Sequence, residues 1–193
     1  MNKGLLIFGV IILILFMGGC SSYNGMNTLQ KEAQQRWADV QSSYQRRADL
    51  IPNLVATVKG VANFEQTTLT QVIQARASAT SIKIDPKDLT PDQLRQFQQS
   101  QGQLSQALGR LMVVSEQYPE LKANENFKDL QSQLEGTENR IKTARDAYNE
   151  AVKDYNVKIT NFPGVMMAGM FHFTEMAMFQ AEAGSEKAPK VEF

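Results

Sequence analysis

Between Phe127 and Phe162 apolar and aromatic residues recur on a seven-residue period, and this pattern limits the fold more than any other feature of the chain. Phe127, Leu130, Leu134, Thr137, Ile141, Ala144, Tyr148, Tyr155, Ile159 and Phe162 fall on one helical face, and Ala151 and Val152 fill the seam. Nothing breaks the run before Asn161, where Pro163-Gly164 stops it. Such a helix, starting near Asn124, is about 55 Å long. A one-sided helix of this kind is marginal in water and becomes stable by laying its stripe against other helices.

The rest of the chain supplies the partners. Met26, Leu29, Ala33, Trp37, Val40, Tyr44, Ala48 and Ile51 recur at steps of three and four, with Lys31, Gln34, Asp39 and Gln45 on the opposite face. Pro52 then removes a helical hydrogen bond and clashes with the carbonyl of Ala48. The chain either breaks there or kinks, and the break is the favoured expectation: one helix ending near Asp49 and a second starting with Pro52 in its first turn. That second helix would turn Leu54, Val55, Val58, Val61, Ala62, Leu69, Val72 and Ala75 inward. Ser78 to Leu89, with its Asp85-Pro86 turn, reads as a loop. Thr90-Pro91-Asp92-Gln93 is a helix start with a capping box. Leu94, Phe97, Gln101, Leu104, Leu108 and Leu111 follow as the next stripe, with polar Gln101 positioned to set register. Tyr118-Pro119 closes it. The predicted fold class is therefore all-α: an antiparallel bundle of long amphipathic helices behind an N-terminal membrane anchor.

The anchor is the run from Gly4 to Cys20, which carries no charge. It spans about 25 Å as a helix, a little short of a hydrocarbon core of about 30 Å, and Ser21, Ser22 and Tyr23 can extend it. An uncleaved signal-anchor helix is the favoured reading. The competing reading is a bacterial lipoprotein signal, with Met17-Gly18-Gly19 before Cys20 and lipidation of Cys20 itself. Either way the tether is N-terminal. The expected organisation is an anchor over 1–22, a long-helix bundle over 23–163, and a Met-rich C-terminal segment with a loose tail over 164–193. The expected location is the bacterial cell membrane, with the bundle on the extracytoplasmic side.

Composition narrows the chemistry. Twenty Lys and Arg balance twenty Asp and Glu, so no basic excess points to nucleic acid. One cysteine, Cys20, and one histidine, His172, make no Cys/His zinc site and no disulfide. No serine sits in a nucleophile elbow. No catalytic, cofactor or metal residues are expected. An enzyme would need Glu65, Glu138 and His172 to meet in one buried cleft.

Several strings together carry a resemblance. They are Tyr23-Asn24 after the apolar run, Trp37, the segment Arg46-Arg47-Ala48-Asp49-Leu50-Ile51-Pro52-Asn53-Leu54-Val55, Lys59-Gly60, Glu65, Ala75-Arg76, Tyr118-Pro119-Glu120-Leu121, Gly136-Thr137-Glu138-Asn139, Arg145, Tyr148-Asn149, Tyr155-Asn156 and Phe162-Pro163. The chain resembles the LemA family of bacterial membrane proteins from about residue 23 to 180. The resemblance implies an N-terminal membrane segment and an extramembrane helical bundle whose biochemical role is not established. It carries no catalytic residues over. Val61, Asn63-Phe64-Glu65 and Cys20 depart from the family's usual pattern.

The candidate partner-binding residues form two groups. Arg46, Arg47, Asp49 and Asn53 lie beside Pro52, where Arg46 and Asp49 can pair on one helix face. The plainer alternative is that they bond helix-end carbonyls and tie neighbouring helices together through Glu65 or Glu138. Met166, Met167, Met170, Phe171 and Phe173 form a flexible apolar surface, whose plainer alternative is to cover the bundle. Tyr148 and Tyr155 read as core, and Asn149 and Asn156 as inter-helix hydrogen-bonders. The functional expectation is a non-enzymatic membrane-anchored scaffold or adaptor with a protein partner. A holdase-like chaperone or lipid-binding module is the alternative, and homo-oligomerisation stays open.

Overall fold

The computed structural model describes residues 3–61, 64–86 and 89–180; the side chains at 5, 6, 11, 14 and 15 are also outside the described set. The loose tail expected over Gly184–Phe193, and Ala62 of the inward list, lie outside the described residues. Six helices follow in order: α1 Lys3–Lys59, α2 Gln66–Ser81, α3 Pro91–Ser115, α4 Pro119–Ala123, α5 Glu125–Thr160 and α6 Gly164–Phe171. Among the described residues there is no strand.

The break expected at Pro52 does not occur. Helix α1 runs through it to Lys59 and is about 85 Å long. The reason is a substitute donor. Proline leaves the Ala48 carbonyl without its helical N–H, and the Nε of Arg76, on α2, donates to that carbonyl at 2.8 Å. The chain turns at Gly60 instead, whose N–H reaches the Ala56 and Thr57 carbonyls, both at 3.3 Å. Helix α2 then extends to Ser81, so the first residues of the expected loop are helical.

The other helix ends follow local chemistry. Thr90 and Gln93 form a reciprocal capping box at the start of α3. Asn124 caps α5, its side chain accepting from the Phe127 N–H at 3.2 Å. Helix α6 follows a tight turn that only glycine fits, because a Cβ on Gly164 would overlap the Lys158 carbonyl oxygen.

Cross-contacts fix the packing. Trp37 meets Tyr148 and Arg47 meets Glu138, so α5 runs antiparallel to α1. Arg110 bonds Gln71 and Gln101 bonds Ala79, so α3 runs antiparallel to α2. The result is a four-helix bundle of α1, α2, α3 and α5, with α4 and α6 as short closing pieces. Its core lies in three tiers. Met26, Tyr155, Ile159 and Ala168 make the tier nearest the N-terminal stalk. Trp37, Tyr44, Phe97, Ile141, Tyr148 and Phe179 are prominent in the middle tier. Ile51, Leu54, Leu69, Leu104, Leu111 and Leu134 lie in the distal one. The stripes expected on α3 and α5 are the buried faces, with one correction. Phe162 leaves the seam and is 80% exposed, because α5 ends before the Asn161–Pro163 turn.

Upstream of Phe16 the described part of α1 stands clear of the bundle as a stalk, whose last turns, from Phe16 to Tyr23, meet α6. Ile7, Phe8, Val10, Ile12, Leu13, Phe16 and Met17 are all exposed on it. Among the described residues no helix is long and apolar enough to cross a membrane.

Candidate functional site

A polar layer separates the middle and distal tiers, and Arg47 is its centre. The side chain leaves α1 toward α3 and α5 and is buried, with 2% residual exposure. Its Nη1 donates to Glu138 Oε2 and to Ser105 Oγ, each at 2.8 Å. Its Nη2 donates to Gln101 Oε1 at 2.9 Å, and the guanidinium lies 5.1 Å from the centre of the Tyr44 ring. Gln101 passes the connection on: its Nε2 donates to the Ala79 carbonyl at 3.1 Å, near the end of α2 where helical carbonyls lack partners. One guanidinium therefore ties α1 to α3 and α5, and through Gln101 to α2. Several acceptors on a fixed fork offset the desolvation of the charge. Glu138 keeps its outer side in water, at 60% side-chain exposure.

This corrects the reading of Arg47 as a partner contact, since a buried group already bonded to α3 and α5 has no face to offer. The expected tie to Glu138 is the one that forms. Arg46, Asp49 and Asn53 are exposed on α1. The Arg46–Asp49 pair is not among the described contacts; Asp49 accepts from Gln45 Nε2 at 2.7 Å instead.

The second constellation is a ladder along α5. After α6 the chain is extended from Phe173 to Gln180 and returns along the bundle. The Tyr155 hydroxyl donates to the Thr174 carbonyl at 3.0 Å, and the Tyr148 hydroxyl to the Ala177 carbonyl at 2.8 Å. Asn156 both donates to the Met176 carbonyl and accepts from its N–H, each at 2.9 Å. Asn149 does the same for Phe179, at 3.1 and 2.8 Å. The match is one of rise. Seven helical residues advance about 10.5 Å, and three extended residues about 10 Å. A Tyr-Asn pair repeated at seven thus meets a strap at every third residue. The inter-helix bonds expected of the two asparagines are replaced by bonds to the strap, where they stand in for the missing ladder partner of an extended segment.

Phe173, Met176 and Phe179 face inward from this strap. Phe179 stacks on Trp37 at 5.8 Å, and the Arg145 guanidinium covers it at 4.8 Å. Burial pushes the Tyr148 hydroxyl well above its ordinary range. Tyr44 is also raised by burial, with the Arg145 and Arg47 cations pulling the other way. The sequence signal for the ladder was the repeated Tyr-Asn pair together with apolar residues at 173, 176 and 179.

The third feature lies where α6 meets the stalk. Phe16, Gly19 and Cys20 of α1 and Met167, Met170 and Phe171 of α6 line an apolar groove of about 540 Å³. Tyr23 packs against Phe171 and Phe173, at 4.9 and 5.6 Å between ring centres. Of the Met-rich candidates, Met166, Met170 and Phe171 are exposed, while Met167 and Phe173 are half-buried.

Glu65 stands before α2 at the distal end, Glu138 at the polar layer, and His172 after α6 beside the stalk. The cleft that an enzyme would need from these three is not assembled. Among the described residues no group of acidic, His or Cys side chains is placed to hold a metal ion.

These features define a class: a stalked, antiparallel four-helix bundle tied by a buried arginine and closed by a C-terminal strap. The LemA family model matches residues 36–193, and the chain belongs to the LemA family. It is 26% identical to the magnetosome protein MamQ 2 of Paramagnetospirillum magneticum over 200 aligned residues, covering 94% of this chain and 74% of that protein. It is 25% identical to the magnetosome protein MamQ of Magnetospirillum gryphiswaldense, covering 85% and 66%. It is also 26% identical to the protein LemA of Metamycoplasma hominis, covering 92% and 77%.

Proposed function

We propose that this protein is a membrane-anchored, non-enzymatic scaffold, which holds a helical bundle at a set height above the bilayer and presents its surface to another envelope protein. The observation that carries this reading is the continuity of α1. One 57-residue helix includes both the uncharged run Gly4–Cys20 and a full-length helix of the bundle core, so an anchor in the bilayer and the bundle move as one body. Among the described residues nothing covers the apolar side chains exposed along the stalk, and burying them in lipid relieves that exposure. The uncleaved helix is favoured over a lipidated Cys20, because Cys20 sits within unbroken α1. In this reading the bundle stands on the extracytoplasmic side. The holdase or lipid-module alternative takes no support from the relatives.

The surface offered to the partner is Arg46, Asp49 and Asn53, which project together from α1 opposite the buried Arg47. The test is site-specific photocrosslinking in cells from position 42 of the full-length chain, an exposed position two turns before Asp49 on the same face of α1. The expected result is one recurrent envelope protein, lost in an Arg46→Ala/Asp49→Ala/Asn53→Ala variant that keeps wild-type helicity. An unchanged crosslink in that variant would remove the surface assignment.

A further inference from the structure

We propose that α6 is a foot resting on the membrane surface: Phe162, Val165, Met166, Met170 and Phe171 sit in the boundary between headgroups and acyl chains, beside the point where α1 enters the bilayer. The proposal rests on the reading of Gly4–Cys20 as the anchor and adds a second, peripheral attachment to it.

The height of α6 is the first argument. Met167 touches α1 at Gly19, where an added Cβ would lie 3.2 Å from its Cε. Met170 and Phe171 line the same groove as Phe16 and Cys20. Gly19, Phe16 and Cys20 all belong to the uncharged run. If that run is immersed as far as Cys20, α6 cannot stand clear of the bilayer edge, because it is packed against the last turn of the immersed segment.

The surface chemistry is the second. Helix α6 turns Gly164 and Ala168 into the bundle and leaves a contiguous apolar face outward, with Met166 and Met170 each 66% exposed. From Asn161 to Thr174 the sequence has no Lys, Arg, Asp or Glu. Such a face is costly in water and fits the apolar side of an interface. The third is Tyr23, which packs between α6 and the strap at the top of the run, at the level tyrosines favour in membranes. A protein partner would be expected to meet some polar rim here; a lipid surface requires none. With no basic residue on the face, attachment should not depend on anionic lipid.

Spin labels placed on the full-length chain test this. In a Cys20→Ser background, single labels are introduced by Met170→Cys, Leu13→Cys and Val113→Cys. Val113 lies on α3 and is exposed, so it reports water. The protein is reconstituted in phosphatidylcholine vesicles, with and without phosphatidylglycerol, and helicity is checked for each variant. Collision with oxygen and with a water-soluble nickel chelate is then read. The expected result is a severalfold loss of nickel access at position 170 relative to 113, with oxygen access retained, in both lipid compositions. Position 13 should read deeper still. A position 170 as open to nickel as 113, with position 13 deep, overturns the foot while the anchor stands. Shielding of 170 from both reagents means a protein surface covers it, such as a second copy, and also overturns it. Water-like access at both 13 and 170 removes the anchor, and the foot with it.

Discussion

Arg47 and Glu138 share one bond but not one environment, and substitutions should read them differently. Arg47 is enclosed and holds acceptors on two other helices, whereas Glu138 keeps one side in water. Removing the guanidinium in Arg47→Ala leaves Gln101 Oε1 without its donor in the interior and a void beside Tyr44, at a cost of about 3 kcal/mol. Glu138→Gln keeps an acceptor for Nη1 and lets solvent compensate, at about 1 kcal/mol. Urea unfolding of the two variants measures the difference; equal losses would mean that the charge pair, and not the internal tie, is what matters. Three buried tyrosines, Tyr44 and the two of the ladder, give a pH-dependent counterpart. Burial raises Tyr44, Tyr148 and Tyr155 above their ordinary value of 10.0. The fold therefore holds the protonated phenol while the unfolded chain releases that proton. Stability should be level below about pH 10 and fall as pH rises past it. Tyr148→Phe removes the bond to the Ala177 carbonyl and should cost about 1 kcal/mol near neutrality, yet show a shallower alkaline decline. Denaturant midpoints at about pH 8 and about pH 11 compare the two slopes.

At the scale of the element, Pro52 shows why a local rule can be right and its conclusion wrong. The lost hydrogen bond is real, but its acceptor is taken by Arg76 on another helix, 28 positions later. No periodicity in the chain links those two residues. If Arg76 is the substitute donor, Arg76→Ala should cost about 1–2 kcal/mol and should cost clearly less in a Pro52→Ala background, where a backbone N–H again reaches Ala48. A double-mutant cycle reads this directly; full additivity would mean that Arg76 acts elsewhere. The same division runs through the other elements. The stripes of α3 and α5 and the caps at Thr90 and Asn124 depend on residues close in sequence, and they were legible. Gln101 was recognisable as a polar position in a stripe, but its partners Arg47 and Ala79 lie on α1 and α2. Phe162 keeps the heptad spacing but lies past the end of α5, so the period alone puts it in a seam it does not join. That the C-terminal segment can cover the bundle is readable from its apolar residues, but its form as an extended strap is not, because an extended chain bonded by side chains has no strand alternation. It shows only as a Tyr-Asn pair at seven and apolar residues at three, two spacings that match only when converted to rise.

The whole molecule is held from two ends by different means. At one end α1 passes out of the core as the stalk, and at the other side of the same tiers the chain is brought back and stapled over α5. The strap is therefore more than a covering: Phe179 completes the middle tier against Trp37 and Tyr148, the latter at 5.5 Å. Trp37 is the sole tryptophan and is fully buried, so its emission reports whether that tier is closed. Phe179→Ala deletes an aromatic ring from the core and should cost about 3–4 kcal/mol, with a red shift of the Trp37 emission as water reaches the tier. The neighbouring Met178 points outward, and Met178→Ala should change stability by less than about 0.5 kcal/mol and leave the emission in place. Asn149→Ala, which removes the two bonds that fix the backbone of Phe179, should fall between them, because the ring can still find its site while its backbone is no longer held. If Phe179→Ala shows wild-type emission and an unchanged denaturation midpoint, the strap lies on the bundle without belonging to its core. A graded series would mean that this four-helix bundle is closed by a fifth, non-helical member whose place is set by two Tyr-Asn pairs.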